Sequence, residues 1–145
     1  MKLSTRGRYA MRILLSIARM QGKTGRIAKR RIAEEEGITA DYIEQLVVPL
    51  RKAGLVESVR GVRGGFRLAR DPASVSLLEV LEASEGDLGL VGCLSAGCNR
   101  SESCATRRVW EGASRTLRDY FSGITLADLL KEENEEGAWG DGAIR

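Results

Sequence analysis

Three cysteines, Cys93, Cys98 and Cys104, fall within twelve residues in the spacing C-x4-C-x5-C. Thiolates are preferred ligands for iron–sulfur clusters and for zinc, and a Gly/Ser-rich loop lets three sulfurs converge on one ion or cluster. Cys104 is expected near a helix N-terminus, with Arg100, Arg107 and Arg108 around the group, and both effects favour the thiolate. Small buried hydrophobes or incidental free thiols fit a triplet in a polar loop less well than ligation does. An odd cysteine count also argues against a disulfide framework. Zinc in structural sites takes four protein ligands, and three obvious ones are present.

The triplet lies in the acidic half of a strongly polarised chain. Residues 1–70 hold 16 Lys and Arg against 6 Asp and Glu, a balance of +10. Residues 71–145 hold 7 against 14, a balance of −7. So basic a first half is the electrostatic footprint of a polyanion partner, and segregation this clean favours a nucleic-acid face over a merely solvated surface. A chain of 145 residues suffices for one domain plus an arm. The composition, 43% hydrophobic and 30% charged, is that of a globular protein. No apolar run is long enough to cross a bilayer, and Met1–Arg6 lacks the hydrophobic region of a signal peptide. The expected location is therefore the cytoplasm, where thiols stay reduced. An enzyme is poorly supported, because there is no histidine, no glycine-rich nucleotide loop opening a helix and no convincing catalytic carboxylate pair.

Hydrophobic periodicity gives the elements. Tyr9, Ala10, Ile13, Leu14, Ile17 and Ala18 form one helical stripe, with Ser4 or Thr5 as its cap and Gly22 and Gly25 as its end. A short segment follows over Lys29–Glu36, and Gly37 makes a turn. Thr39 caps the next helix, which Ile43, Leu46, Val47 and Leu50 carry to about Ala53 with a bend at Pro49. Leu55–Arg60 and Phe66–Ala69 read as strands around the loop Gly61-Val62-Arg63-Gly64-Gly65. The fold class is mainly α: a winged helix-turn-helix with a two-stranded wing, plus a long C-terminal dimerisation helix. Ser76 caps a short helix, residues 85–103 are loop-like, and a long helix begins near Cys104 with the stripe Val109, Trp110, Ala113, Leu117, Tyr120 and Phe121. A last helix covers Thr125–Lys131. The expected division is 1–72 for the DNA-binding region, 73–131 for the cysteine loop and dimerisation helices, and 132–145 for a disordered acidic tail.

The second helix of such a motif lies in the major groove and presents its N-terminal residues to base edges. Those are Thr39, Ala40, Tyr42, Glu44 and Gln45. Gln reads adenine bidentately, and Glu accepts from cytosine N4 while repelling phosphate elsewhere. Arg60 and Arg63, on a glycine-rich hairpin, suit a narrow minor groove. Arg26, Lys29, Arg30, Arg31, Arg51 and Lys52 are placed for phosphates, contacts that orient without specifying sequence. The long C-terminal helix has few elements of its own chain to cover it, so a twofold partner is expected, matching DNA half-sites.

The stretches Lys2–Ala10, Tyr42–Leu46, Leu50–Val56 and Arg60–Leu68 occur in one order, and together they resemble the Rrf2 family of bacterial transcriptional regulators. The resemblance covers about residues 1–131 and is strongest to the family's iron–sulfur cluster regulators. It implies a homodimer joined largely through the long helix and binding to palindromic or semi-palindromic promoter DNA; with no apolar run to cross a bilayer, no membrane association is expected. It assigns the positions of Tyr42, Glu44, Gln45 and Arg60 to the DNA-reading helix and wing. It further implies an iron–sulfur cluster on Cys93, Cys98 and Cys104 that senses iron, redox state or a gas. Two departures stand out. Those regulators place five residues between their first two cysteines, whereas here there are four, and their histidine three residues after the last cysteine is here Arg107. Related nitric-oxide sensors take an aspartate from the partner's first helix, at the position of Arg8. The fourth ligand is left among Glu102, Glu111, Asp87, a small thiol or water, and the cluster type between 2Fe–2S and 4Fe–4S. The alternatives are a thiol-redox or zinc-dependent regulator of the same fold, or a cluster-free regulator of a metabolite or partner protein.

Overall fold

Helix α1 spans Thr5–Thr24 in the computed structural model, which describes residues 3–136. The Ser4 side chain accepts from the Arg6 N–H at 3.0 Å and caps the helix. The helix runs through Gly22 and ends only at Gly25. A glycine inside a helix costs about 1 kcal/mol of propensity. Ala10, Ile13, Leu14 and Ile17, all wholly buried, outweigh that, since packing of one face is what stabilises most helices.

Helix α2 covers Lys29–Glu36, and α3 covers Ala40–Lys52. Between them Gly37 adopts φ 65°, a left-handed conformation that glycine takes without a Cβ penalty. Thr39 caps α3 by accepting from the Tyr42 N–H at 3.2 Å. Pro49 brings no N–H for the Gln45 carbonyl, yet α3 continues past it to Lys52 because Ile43, Leu46, Val47 and Leu50 are buried along one face. Strands β1, Val56–Val59, and β2, Gly65–Leu68, pair antiparallel with Val56 opposite Leu68 and Val59 opposite Gly65. Ile27 adds a third, one-residue rung, exchanging two backbone bonds of 2.8 Å with Phe66. The wing is thereby tied to the segment before α2.

A short 3-10 turn over Pro72–Ser74 leads to α4, Leu77–Glu85, opened by a reciprocal capping box of Ser76 and Glu79. The cysteine loop follows and includes a second 3-10 turn at Gly92–Leu94. Helix α5 spans Arg107–Ser122, starting three residues after Cys104. Helix α6, Leu126–Glu136, is longer than the expected Thr125–Lys131 and takes in Glu132–Glu136, which the sequence placed in the acidic tail. One reason is on its flank, where Glu133 pairs with Arg19 of α1 at 3.3 Å. The rest of that tail, 137–145, lies outside the described residues.

One apolar core runs across the expected boundary at residue 72. Val75, Val80 and Leu126, all wholly buried, join the α1, α3 and wing side chains in a single cluster. Backbone bonds from Leu77 N–H to Ile124 at 2.9 Å and from Leu126 N–H to Val75 at 3.0 Å lock α4 and α6 together. Helix α5 differs from the others. Ser114 is its one buried residue, while Val109, Trp110 and Tyr120 are exposed. It is held to the rest by Phe121, which packs against the core, by Arg118 with Glu82 at 2.6 Å, and by the Leu90 N–H donating to Ser114 Oγ at 3.3 Å.

Candidate nucleic-acid interface and cysteine loop

The expected reading residues share the exposed end of α3. Thr39, Glu44 and Gln45 are exposed, while Ala40 and Tyr42 are half-buried. Glu44 is not idle: Lys29 Nζ donates to it at 2.8 Å, and that bond holds the Lys29 ammonium above its ordinary pKa. Lys29, expected at phosphate, therefore sits against a residue expected to read bases. Arg30 pairs with Glu34 at 3.0 Å within α2. Arg60 and Arg63 are exposed on the wing, flanking Val62, whose side chain is fully in solvent. A groove of about 460 Å³ between α2, α3 and the wing is lined by Lys29, Glu44, Arg51, Arg60 and the wing glycines. A second, of about 580 Å³, lies beside α3 and β1 with Arg51, Lys52, Arg60 and Val48 in its wall. Lys29, Glu44, Arg51, Lys52 and Arg60 are thus brought together at these two grooves, whereas Arg26 and Arg31, also expected at phosphate, line a separate recess with Arg19 and Glu35.

Two polar constellations behind this face carry no signal in the sequence. In the first, Glu36 at the end of α2 accepts from Arg12 Nε at 2.7 Å and from the Ser16 hydroxyl. The Arg12 guanidinium lies 5.1 Å from the centre of the Tyr9 ring, and Tyr9 meets Tyr42 edge-on with centroids 6.0 Å apart. In the second, Glu85 at the end of α4 accepts from the Ser4 N–H at 3.1 Å, the Ser4 hydroxyl at 2.6 Å and the Gly7 N–H at 2.8 Å. It fastens the start of α1 to the residue before the cysteine loop. Partners 24 and 81 residues apart leave no local pattern to read.

The cysteines occupy that loop as free thiols, with Cys93 and Cys98 exposed and Cys104 half-buried. Cys93 lies on the 3-10 turn, and Cys98 Sγ accepts from the Arg100 N–H at 3.5 Å. The Thr106 hydroxyl, 3.3 Å from Cys104 Sγ, holds that thiol below its ordinary pKa, with help from the Arg107 backbone N–H and its charge. Of the arginines expected to favour thiolate, Arg107 acts on Cys104 and Arg100 lines the same small recess. The donor set suits a thiophilic centre. It is not preassembled, however, because among the described residues no group of three or more His, Cys, Asp or Glu side chains stands close enough to hold a metal ion. Of the fourth-ligand candidates, Glu111 is paired with Arg107 at 2.7 Å, Asp87 accepts from the Gly89 N–H at 2.9 Å, and Glu102 is exposed. Arg8 is exposed and donates to Thr5 Oγ1 at 3.4 Å. Among the described residues no helix is long and apolar enough to cross a membrane.

Residues 3–132 match the model of a family described as Rrf2, iron-dependent transcriptional regulator. The HTH-type transcriptional regulator IscR of Klebsiella pneumoniae (strain 342) is 36% identical over 134 residues, 92% of this chain and 82% of that protein. Among solved structures, IscR of T. potens superposes with a TM-score of 0.74 at 34% identity, covering 98% of this chain and 94% of that one. CymR, the global cysteine regulator of B. subtilis, superposes with a TM-score of 0.77 at 32% identity, covering 91% and 98%.

Proposed function

The chain belongs to the Rrf2 family of transcriptional regulators, and from that premise we propose that it binds promoter DNA as a homodimer under the control of an iron–sulfur cluster on Cys93, Cys98 and Cys104. It is a regulator and not an enzyme, as its relatives are. The observation that carries the cluster reading is the placement of the thiols. All three lie on one segment running from α4, which shares a core with α1, α3 and the wing, into α5, where Val109, Trp110 and Tyr120 are exposed. A change in that segment is therefore in a position to act on both the head and the dimer.

In this reading Thr39, Ala40, Tyr42, Glu44 and Gln45 meet base edges in the major groove. Arg60 and Arg63 enter the minor groove beside them. Arg26, Arg30, Arg31, Arg51 and Lys52 hold phosphates, which makes binding fall steeply with salt. Lys29 engages one carboxylate oxygen of Glu44, and the other is left to accept from a cytosine N4. The protein works in the cytoplasm, on palindromic sites matched by its twofold axis. Helix α5 supplies the dimer contact through Val109, Trp110 and Tyr120.

Cys93, Cys98 and Cys104 would hold the cluster, and their loop would have to bring the thiols together to do so. Arg107 cannot take the place of the family's histidine, because a guanidinium offers no lone pair. The fourth position falls to Glu102, to Asp87, to Glu111 once released from Arg107, or to a small thiol or water. When bound, the cluster supplies one-electron redox chemistry and sensitivity to iron supply and reactive gases.

Two observations favour a second reading, a thiol-responsive regulator without a cluster: the ungathered cysteines and the likeness to a cysteine regulator. Anaerobic purification with a visible spectrum, iron and sulfide assays decides between them. The expected result is a coloured protein with matched iron and sulfide, both lost in Cys93→Ser/Cys98→Ser/Cys104→Ser. Loaded and stripped forms should differ in DNA affinity by about fivefold to a hundredfold, the usual range of allosteric coupling. A colourless protein that resists reconstitution overturns the cluster reading and leaves the thiol one.

A further inference from the structure

We infer that Arg12 and Glu36 are positioning residues for DNA reading, acting on Tyr42 through the ring of Tyr9. The inference rests on the proposal above that Tyr42 touches DNA. Glu36 closes α2 immediately before the Gly37 turn, and its side chain is only 7% exposed. A charge withdrawn that far from water must be paired. Arg12 Nε takes one carboxylate oxygen at 2.7 Å, and the hydroxyl of Ser16, itself wholly buried, takes the other. Both donors come from α1, so the turn between α2 and α3 is fastened to α1 by polar contacts as well as by the core.

The consequence runs outward from there. The guanidinium held by Glu36 lies over the Tyr9 ring at 5.1 Å, within the range of a cation–π contact. Tyr9 presents that ring to Tyr42 at 6.0 Å and 80°, the edge-to-face geometry that aromatic quadrupoles prefer. Tyr42 sits in the first turn of α3, among the residues proposed to read bases. A reading side chain already held in one orientation loses less freedom on binding, and so binds its proper site more tightly. Freeing Arg12 lets Tyr9 rotate, Tyr42 gains alternative rotamers, and recognition of the specific site weakens.

Arg12 has a competing use. Its side chain is 54% exposed, and it could bond a phosphate directly. The two roles separate in a binding assay on two duplexes. One is enriched from a random library by the wild-type protein, and the other is a shuffled duplex of equal composition. Affinities for both are measured over a range of salt for Arg12→Gln, Tyr42→Ala and the double variant, with the melting temperature of each. We expect Arg12→Gln to weaken the enriched duplex about fivefold to tenfold, the scale of one lost base contact. The shuffled duplex and the salt slope should not change, and Arg12→Gln should add nothing in the Tyr42→Ala background.

Equal losses on both duplexes, with the salt slope reduced by about one, would overturn the inference in favour of a phosphate contact. So would single effects that multiply in the double variant, or a lower melting temperature with the ratio of the two affinities unchanged. If Tyr42→Ala alone leaves the enriched duplex untouched, the reading role of Tyr42 fails and the inference falls with it. Glu36→Gln keeps the shape while removing the charge and one of the two acceptor oxygens. It must give the same pattern at smaller amplitude, and it carries the test if Arg12→Gln does not fold.

Discussion

Ser4, Thr39 and Ser76 were legible as helix caps because a cap is a local matter: a short oxygen side chain one position ahead of an apolar period. Thr125 and Asp128 form a further cap at the start of α6. The Asp128 carboxylate accepts from the Thr125 N–H at 2.9 Å and from its hydroxyl at 2.7 Å. These two bonds favour the charged form and hold Asp128 below the ordinary carboxylate pKa. A group whose folded pKa is depressed stabilises the fold above its unfolded pKa, and that contribution is lost as pH falls through the folded value. Asp128→Asn, with no proton to gain, should therefore lose less stability than the wild type between neutral pH and about pH 3. Thermal melts at the two pH values check this, and an equal loss in both proteins would refute it. The ion pair of Arg12 and Glu36 was not legible. Arg12 read as one more basic residue of a basic half, and nothing near it in sequence shows that its partner is almost wholly buried.

At the scale of elements, periodicity located the helices and the hairpin, and tertiary contacts reset their ends. Helix α1 passes through Gly22 because the burial of Ala10, Ile13, Leu14 and Ile17 outweighs the glycine's local penalty, and α6 continues through an acidic run in which Glu133 pairs with Arg19 of α1. The wing shows what periodicity could not show. A Cβ on Gly65 would lie 2.1 Å from the Ile27 carbonyl oxygen, a backbone atom with no room to yield. Gly65→Ala should therefore break the rung between Ile27 and Phe66, cost about 3 kcal/mol or more, and misplace Arg60 and Arg63. Gly22 is the control, since a Cβ there meets nothing within 4 Å. Gly22→Ala should stabilise α1 by up to about 1 kcal/mol. Denaturant melts of the two variants give opposite signs, and similar behaviour would contradict this account of the wing.

For the molecule as a whole, the charge division and the order of elements pointed to a basic reading head and an acidic sensing half. The shared core was hidden, because no spacing reveals that Leu126 packs with Ile13 and Val75. The stripe of α5 was legible, and of its residues Val109, Trp110 and Tyr120 are exposed while Phe121 packs against the core. If the exposed side chains make the proposed dimer contact, Trp110→Glu combined with Tyr120→Glu should leave the fold intact, halve the mass measured by sedimentation and lower DNA affinity about tenfold or more, since two half-sites are then no longer engaged at once. A variant that stays dimeric would move the dimer contact elsewhere. Leu126 has a consequence of another kind, for the order in which the protein comes into being. A growing chain that has emerged as far as residue 72 already contains its reading helix and wing, but it lacks Val75, Val80 and Leu126, three of the wholly buried side chains that complete the core around α1. The core around α1 is therefore complete only after the cysteine loop has been synthesised, and if that loop is the sensor proposed above, the sensor is made before the head it would govern has finished folding.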